Sequence, residues 1–250
     1  MSDGTRLVIE KIILMATDRY IAEHKVTRYW DEPLVGFADA NSPYFPKLKE
    51  EVNPKHLVPQ DYMPEAKTVI CYFLPYIKYV ANTNIEGKEP SKMWIDAYRH
   101  SNQLIDTINA DITTVLNHYG YKVVSTGYSE EINDAYAMWS QCHVAWIGGL
   151  GAFGTNNRVI TKRGCCGRFY SVITDMPMAQ YDEPVMDDYC YRKNTGGCGK
   201  CIERCVSGAL RNEGIDYNIC REIPLINSEI KDQELCGKCM VGLPCSHRIP

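Results

Sequence analysis

"GGCGKCIERCVSGAL", residues 196–210, decides how the rest of the chain is read. Cys198, Cys201 and Cys205 stand in it at the spacing C-x2-C-x3-C, and Thr195 sits three residues ahead of the first. Of the twelve cysteines in 250 residues, eight fall after position 189: Cys190, Cys198, Cys201, Cys205, Cys220, Cys236, Cys239 and Cys245. Only Cys71, Cys142, Cys165 and Cys166 precede them. In a reducing compartment this density points to metal ligation or catalysis and not to disulfides. The shift in composition sets a boundary near Tyr181–Tyr189, which divides the chain into 1–180 and 181–250.

Cubane iron–sulfur clusters take four thiolates apiece, so eight cysteines supply two [4Fe–4S] clusters. In the two-cluster run C-x2-C-x2-C-x3-C the fourth cysteine crosses to the other cluster and joins the two loops. Applied here, Cys198 and Cys201 share one cluster and Cys205 leaves for the second. The simplest division gives Cys205, Cys220, Cys236 and Cys239 to one cluster, and Cys190, Cys198, Cys201 and Cys245 to the other. Thr195 occupies the place of the first cysteine of the run, and Cys190, eight residues before Cys198, replaces it across a glycine-containing segment. Paired C-x2-C knuckles also make tetrahedral structural zinc sites, and that alternative stays open. The interval between Cys201 and Cys205 and the count of eight fit the crossover; Val206, where proline usually follows, does not.

The residues before the cysteines alternate in pattern. Ile9, Ile12, Ile13, Ala16 and Tyr20 repeat at helical spacing in 5–26. "TVICYFL" (68–74) reads as a buried strand ending at Pro75. A long helix is expected over 92–119, with Ile95, Tyr98, Leu104, Ile108, Ile112 and Leu116 inward and Gly120 as terminator. "YKVVST" reads as a strand, "INDAYAMWSQCHVAW" as a helix, and "NRVIT" with "RFYSVITD" as a strand pair around Lys162–Gly167. Alternating strands and helices favour an α/β class. The net charge of −4 gives no general attraction for polyanions. No apolar run reaches the length of a membrane span, and the N-terminus lacks a signal-peptide core, so a cytoplasmic protein is expected.

"GLGAFGTNNRVIT" (149–161), "FYSVITDMPM" (169–178), "MPEAKTVICYFLPY" (63–76) and the cysteine tail together resemble the epoxyqueuosine reductase family, cobalamin-dependent enzymes related to the reductive dehalogenases. The resemblance implies a nitroreductase-like α+β layer domain that holds cobalamin, followed by a small ferredoxin-like double-cluster domain that delivers electrons to cobalt. It implies that Gly151, Phe153, Gly154, Asn156 and Asn157 lie against the corrin, with the asparagines bonded to cofactor amides and Phe153 packed on the ring. It also implies that Asp134, fifteen residues before Gly149, is the proton donor. A carboxylic acid against an apolar corrin face has its pKa raised by desolvation and can hold a proton at neutral pH. Asp134 read without the resemblance is a carboxylate in a helix's first turn, and the glycines are tight turns.

Several positions depart from the family pattern. Ala152 and Thr155 replace a tryptophan and a lysine in the glycine loop, and the closing cysteines are spaced C-x2-C-x5-C. The chain ends at Pro250 without the C-terminal helical repeats of the tRNA-acting enzymes. That and the acidic balance argue against a tRNA substrate, so a small-molecule substrate is expected, with a low-potential donor such as ferredoxin or flavodoxin. The alternative is a cobalamin-free two-cluster electron-transfer protein serving a partner enzyme or a corrinoid protein. His143 reads as a packed core residue, and the adjacent Cys165 and Cys166 read as buried small residues or lining of the substrate pocket.

Overall fold

The computed structural model describes residues 4–127, 138–221 and 235–250. The first helix, α1 (Gly4–His24), leads into β1 (Leu34–Asp39), two short helices, α2 (Tyr44–Glu51) and α3 (Pro59–Tyr62), and β2 (Thr68–Pro75). After α4 (Lys78–Thr83) and the long α5 (Lys92–His118) come β3 (Val123–Ser125), α6 (Gln141–Ile147), β4 (Gly151–Phe153), β5 (Val159–Thr161) and β6 (Gly167–Thr174). Four of these strands form one sheet in the order β1-β2-β6-β3, and every neighbouring pair is antiparallel. Helices and a small antiparallel sheet therefore share one layered α+β body.

The two central strands, β2 and β6, are buried at all eight positions, because both faces of the sheet are covered. Ile70, Tyr72 and Leu74 point into a core shared with α1 and α5, whereas Val69 and Cys71 point into a second core shared with α2 and α6. That alternation is the strand's period of two. Each large aliphatic side chain buried there contributes roughly 1.5–3 kcal/mol. Helix α5 buries one stripe, Trp94, Ala97, Tyr98, Ser101, Leu104, Ile105, Ile108, Ile112 and Leu116. It starts where the Ser91 hydroxyl accepts from Trp94 N (3.1 Å) and stops before Gly120, whose φ of +83° suits glycine. Helix α6 closes on the sheet through glycine: a side chain on Gly36 of β1 would lie 2.1 Å from the carbonyl oxygen of Gly148.

Two expectations are corrected here. The segments "NRVIT" and "RFYSVITD" do not pair with each other; β5 pairs back onto β4, and β6 enters the main sheet between β2 and β3. The tight turn between Thr161 and Gly164 exists, with Thr161 N donating to Gly164 O (3.1 Å), but Cys165 and Cys166 then donate to Cys245 O (2.9 Å) and Ser246 O (3.0 Å). The helix expected from 132 begins, among the described residues, at Gln141, where the Ser140 hydroxyl faces His143 N.

Beyond residue 180 the elements are short: α7 (Tyr191–Thr195), α8 (Lys200–Glu203), the hairpin β7 (Leu210–Arg211) and β8 (Gly214–Ile215), α9 (Tyr217–Arg221) and a 3-10 turn at Lys238–Met240. Leu235, Met240, Val241 and Cys190 nevertheless belong to the α1–α5 core. The tail is thus seated on the layered body by apolar contact as well as by hydrogen bonds.

Candidate functional site

The tail's cysteines gather in two sets. Cys190, Cys198, Cys201 and Cys245 line one small cavity together with Gly154, Thr155 and Asn156 of the glycine loop. Burial, followed by the negative fields of Cys245, Cys190 and Cys198, pushes the Cys201 thiol up to about 11. Cys190 is under the opposite balance. Burial would raise it, but the Thr155 hydroxyl at 3.4 Å and the backbone N–H groups of Lys193, Thr155 and Arg192 favour its thiolate and hold it below the ordinary value. The Arg192 guanidinium donates to Cys198 O (2.9 Å), which ties α7 to the start of α8. Cys245 bonds to the fully buried Cys165: Cys165 donates, its own thiol held well up, and the Cys245 thiolate is favoured.

The second set is Cys205, Cys220, Cys236 and Cys239. Burial and then the fields of Cys236, Cys220 and Cys205 push Cys239 up to about 12, against the pull of the Arg158 guanidinium. Burial also raises Cys236, and the backbone N–H and ammonium of Lys238 oppose it. At Cys205 burial is outweighed by hydrogen bonds from the Ser207 hydroxyl (3.5 Å) and Leu210 N (3.3 Å), so the thiol lies below its ordinary value. Among the described residues, no group of three or more His, Cys, Asp or Glu side chains closes on a single-ion site.

A clamp holds the second set on the body. Lys238, 1% exposed, donates its ammonium to Asn84 O (2.9 Å) and Glu86 O (2.8 Å). Asn84 Nδ2 donates to Cys236 O (3.0 Å), and the Arg204 guanidinium donates to Ile85 O (2.7 Å) and Lys238 O (3.2 Å). Gly237, between Cys236 and Lys238, has φ +59° and receives the edge of the Trp94 indole where a side chain would stand. The Trp94 Nε1 is the one buried side-chain nitrogen or oxygen among the described residues without a hydrogen-bond partner.

The glycine loop serves this cysteine framework. Asn156, 2% exposed, donates its amide to Cys239 O (2.8 Å) and faces Cys165 Sγ (3.7 Å), while its Oδ1 accepts from Arg158 N (3.3 Å). It therefore spans the two cysteine sets, its amide engaged by protein atoms. Asn157, with φ +55°, donates its amide to the Tyr217 hydroxyl. A side chain on Gly151 would lie 2.0 Å from Ile160 O, and one on Gly154 would lie 2.8 Å from Asn156 Oδ1. Both glycines are consumed by close packing inside the hairpin. Phe153 is half-buried, its ring 4.5 Å from that of His143. Asp134 lies outside the described residues. The Arg158 guanidinium stands 3.9 Å from Cys142 Sγ, beside Tyr217. A separate cavity of about 580 Å³ opens past Gly149 and Leu150, between Leu7 and Lys11 of α1 and Arg163.

Sequence reasoning missed Asn84, Trp94, Cys165 and Lys238 as parts of this site. Only Lys238 carried a local signal, its place between Cys236 and Cys239; the others reach the cysteines from distant segments.

No family model and no curated protein matches the sequence. Solved structures do. An epoxyqueuosine reductase labelled with selenomethionine superposes at a TM-score of 0.56 with 20% identity, over 94% of this chain and 66% of its own. This chain shares the epoxyqueuosine reductase fold. The enzyme from Bacillus subtilis, with its catalytic loop swung out of the active site, matches at 0.52 and 19%. An epoxyqueuosine reductase with a tRNA-Tyr epoxyqueuosine-modified stem loop matches at 0.52 and 18%. The chain spans 66% of the length of each. The resemblance carried by the glycine loop and the cysteine tail is thus borne out at the level of fold. The expectation of a small-molecule substrate, with tRNA argued against, is corrected by the stem-loop complex. That expectation leaned on a net charge of −4, a global sum that says nothing about the local contacts through which a nucleic acid is held.

Proposed function

We propose that the chain is an iron–sulfur oxidoreductase of the epoxyqueuosine reductase type, with two [4Fe–4S] clusters held in residues 181–250 as a ferredoxin-like module. One observation carries this: eight cysteines gather four and four on this fold, with Cys190, Cys198, Cys201 and Cys245 around one cavity and Cys239 in the field of Cys205, Cys220 and Cys236. Four thiols per set are the donor complement of a cubane, and the buried Lys238 and nearby Arg158 offset the negative charge that four thiolates bring. Electrons enter from a low-potential donor of the ferredoxin or flavodoxin kind and pass between clusters whose ligand loops Asn156 joins. Asp134 supplies the proton that a substrate oxygen takes up on reduction. The substrate is of the class in the stem-loop complex, a modified nucleoside carried on RNA.

A corrinoid, when bound, supplies a metal centre that drives electrons into a carbon–oxygen or carbon–halogen bond. The loop residues assigned to it do not fit that contact. Gly151 and Gly154 are filled by their own hairpin, and the amides of Asn156 and Asn157 are given to Cys239 O and the Tyr217 hydroxyl. The same engagement favours a second reading, a two-cluster electron carrier without corrinoid.

Anaerobic purification from cells supplied with cobalamin, with iron, acid-labile sulfide and cobalt measured, tests both. About eight irons and eight sulfides per chain are expected from two cubanes. A colourless protein without sulfide overturns the proposal. Reduction of an epoxyqueuosine-containing stem loop by the loaded protein, abolished in Asp134→Asn at unchanged iron content, supports the enzyme. Loaded protein that passes electrons to a partner yet never reduces the stem loop supports the carrier.

A further inference from the structure

The four tryptophans of the chain provide an internal comparison. Trp30 Nε1 donates to Ser101 Oγ (2.8 Å), Trp139 Nε1 to Ser171 Oγ (3.0 Å) and Trp146 Nε1 to Val185 O (3.0 Å). A buried indole N–H normally finds such a partner, because an unpaired donor has given up its bonds to water without replacing them. Trp94, 1% exposed, has none among the described residues.

Its position gives the exception a meaning. Trp94 lies in the first turn of α5, and its backbone N–H is fixed by the Ser91 hydroxyl. Ser91 N in turn donates to Asn84 Oδ1 (2.9 Å), and the Nδ2 of the same Asn84 donates to Cys236 O (3.0 Å). Tyr76 supports the ring edge-on, with centroids 5.1 Å apart. The orphaned nitrogen is 2.9 Å from where a Cβ on Gly237 would stand, in the Cys236–Cys239 loop. Glycine at 237 is what lets the indole edge reach that loop. One side chain thus joins a rigid mount, close approach to a cysteine loop and an unsatisfied donor.

We propose that Trp94 donates its indole N–H to a sulfur of the cluster held by Cys205, Cys220, Cys236 and Cys239, an inference that rests on the two-cluster reading above. The acceptor is a thiolate or inorganic sulfide, both electron-rich and more so after one-electron reduction. An N–H at that sulfur stabilises the reduced cluster more than the oxidised one and raises its reduction potential. Trp94 is a positioning residue here: it moves no proton and ligates no iron.

The test uses the anaerobically loaded protein and Trp94→Phe, which keeps a large apolar ring and removes the N–H. Potentiometric titration followed by EPR is expected to show one of two midpoint potentials shifted negative and the other unchanged, at equal iron and sulfide content. In protein grown with 15N-indole tryptophan, pulsed EPR of the reduced state is expected to resolve a 15N coupling that Trp94→Phe abolishes. Equal potentials and no 15N coupling at full iron content overturn the inference and leave the clusters standing. Absence of iron and sulfide in the unaltered protein overturns both. Should Trp94→Phe fail to load iron, the coupling in the unaltered protein decides alone, its presence supporting the inference and its absence refuting it.

Discussion

Asn156 shows how one side chain takes on a role its sequence context hides. In "GTNNRVIT" it stands in the glycine loop and the family resemblance implies a bond to a cofactor amide, yet it is buried and joins the carbonyl of Cys239 to the Cys165 sulfur. Asn156→Ala removes the donor and leaves Cys239 O unpaired in a buried place, at a cost of about 1–3 kcal/mol. Anaerobic denaturant unfolding is expected to show that loss in midpoint, and an unchanged midpoint refutes the bridge. His143 governs a second residue-level effect. Burial, helped by the field of His56, lowers its pKa to about 4 in the folded state, against 6.5 for the ordinary imidazole. The unfolded chain therefore binds the proton first. Stability is full above pH 6.5 and falls as pH drops toward 4, by about 1 kcal/mol at pH 5.5. His143→Gln is expected to flatten the stability profile between pH 6.5 and 4; an unaltered slope assigns the effect elsewhere.

At the scale of elements, legibility followed locality. β2 was readable because an unbroken apolar run ends at Pro75, and α5 because its inward stripe repeats over seven turns of helical spacing between Ser91 and Gly120. The fate of β5 and β6 was not readable. The Thr161–Gly164 turn is a true local turn, but the residues after it leave to bond Cys245 and Ser246, some eighty positions later. The meeting of Cys190, Cys198, Cys201 and Cys245 around one cavity was open to spacing arguments, because the crossover pattern draws one cysteine of each loop toward the other loop. Trp94 and Asn84 were not, because each reaches Cys236 or its neighbour from far along the chain. Gly164 makes the hidden pairing testable. Its φ is +78°, and a Cβ there would stand 2.3 Å from His247 N and 2.4 Å from Ser246 O, both backbone. Nothing in that contact can rotate aside. Gly164→Ala is expected to lift the segment bearing Cys245 off the hairpin, at a cost of a few kcal/mol. On the two-cluster proposal, iron is expected to fall from about eight toward about four per chain, because the cubane assigned to Cys245 loses a ligand. Full iron with an unchanged melting temperature sinks the pairing.

For the molecule as a whole, the two-cluster proposal turns on how folding energy divides between the oily layers and the inorganic cages. The layered body has two continuous cores on either side of β2 and β6, enough apolar burial to stand without metal. Past residue 180 the described elements are of two to five residues, too short to persist alone. Leu235, Met240 and Val241 pin part of that region to the α1–α5 core, but the loops bearing Cys198, Cys201 and Cys205 have no buried side chain of their own in α7 or α8. On the two-cluster proposal ligation supplies their order, as binding free energy becomes folding free energy where no preformed core exists. Stripping iron with a chelator under reductant is then expected to leave amide protection in β2 and β6 intact and to abolish it across 191–205. Protection at 238–241 is expected to fall only partly, since Lys238 keeps its bonds to Asn84 O and Glu86 O. Hydrogen exchange on the loaded and stripped protein measures this directly. Uniform loss across the chain would mean that body and tail fold as one unit, and no loss at 191–205 would mean that the cysteine loops hold their shape without a cage.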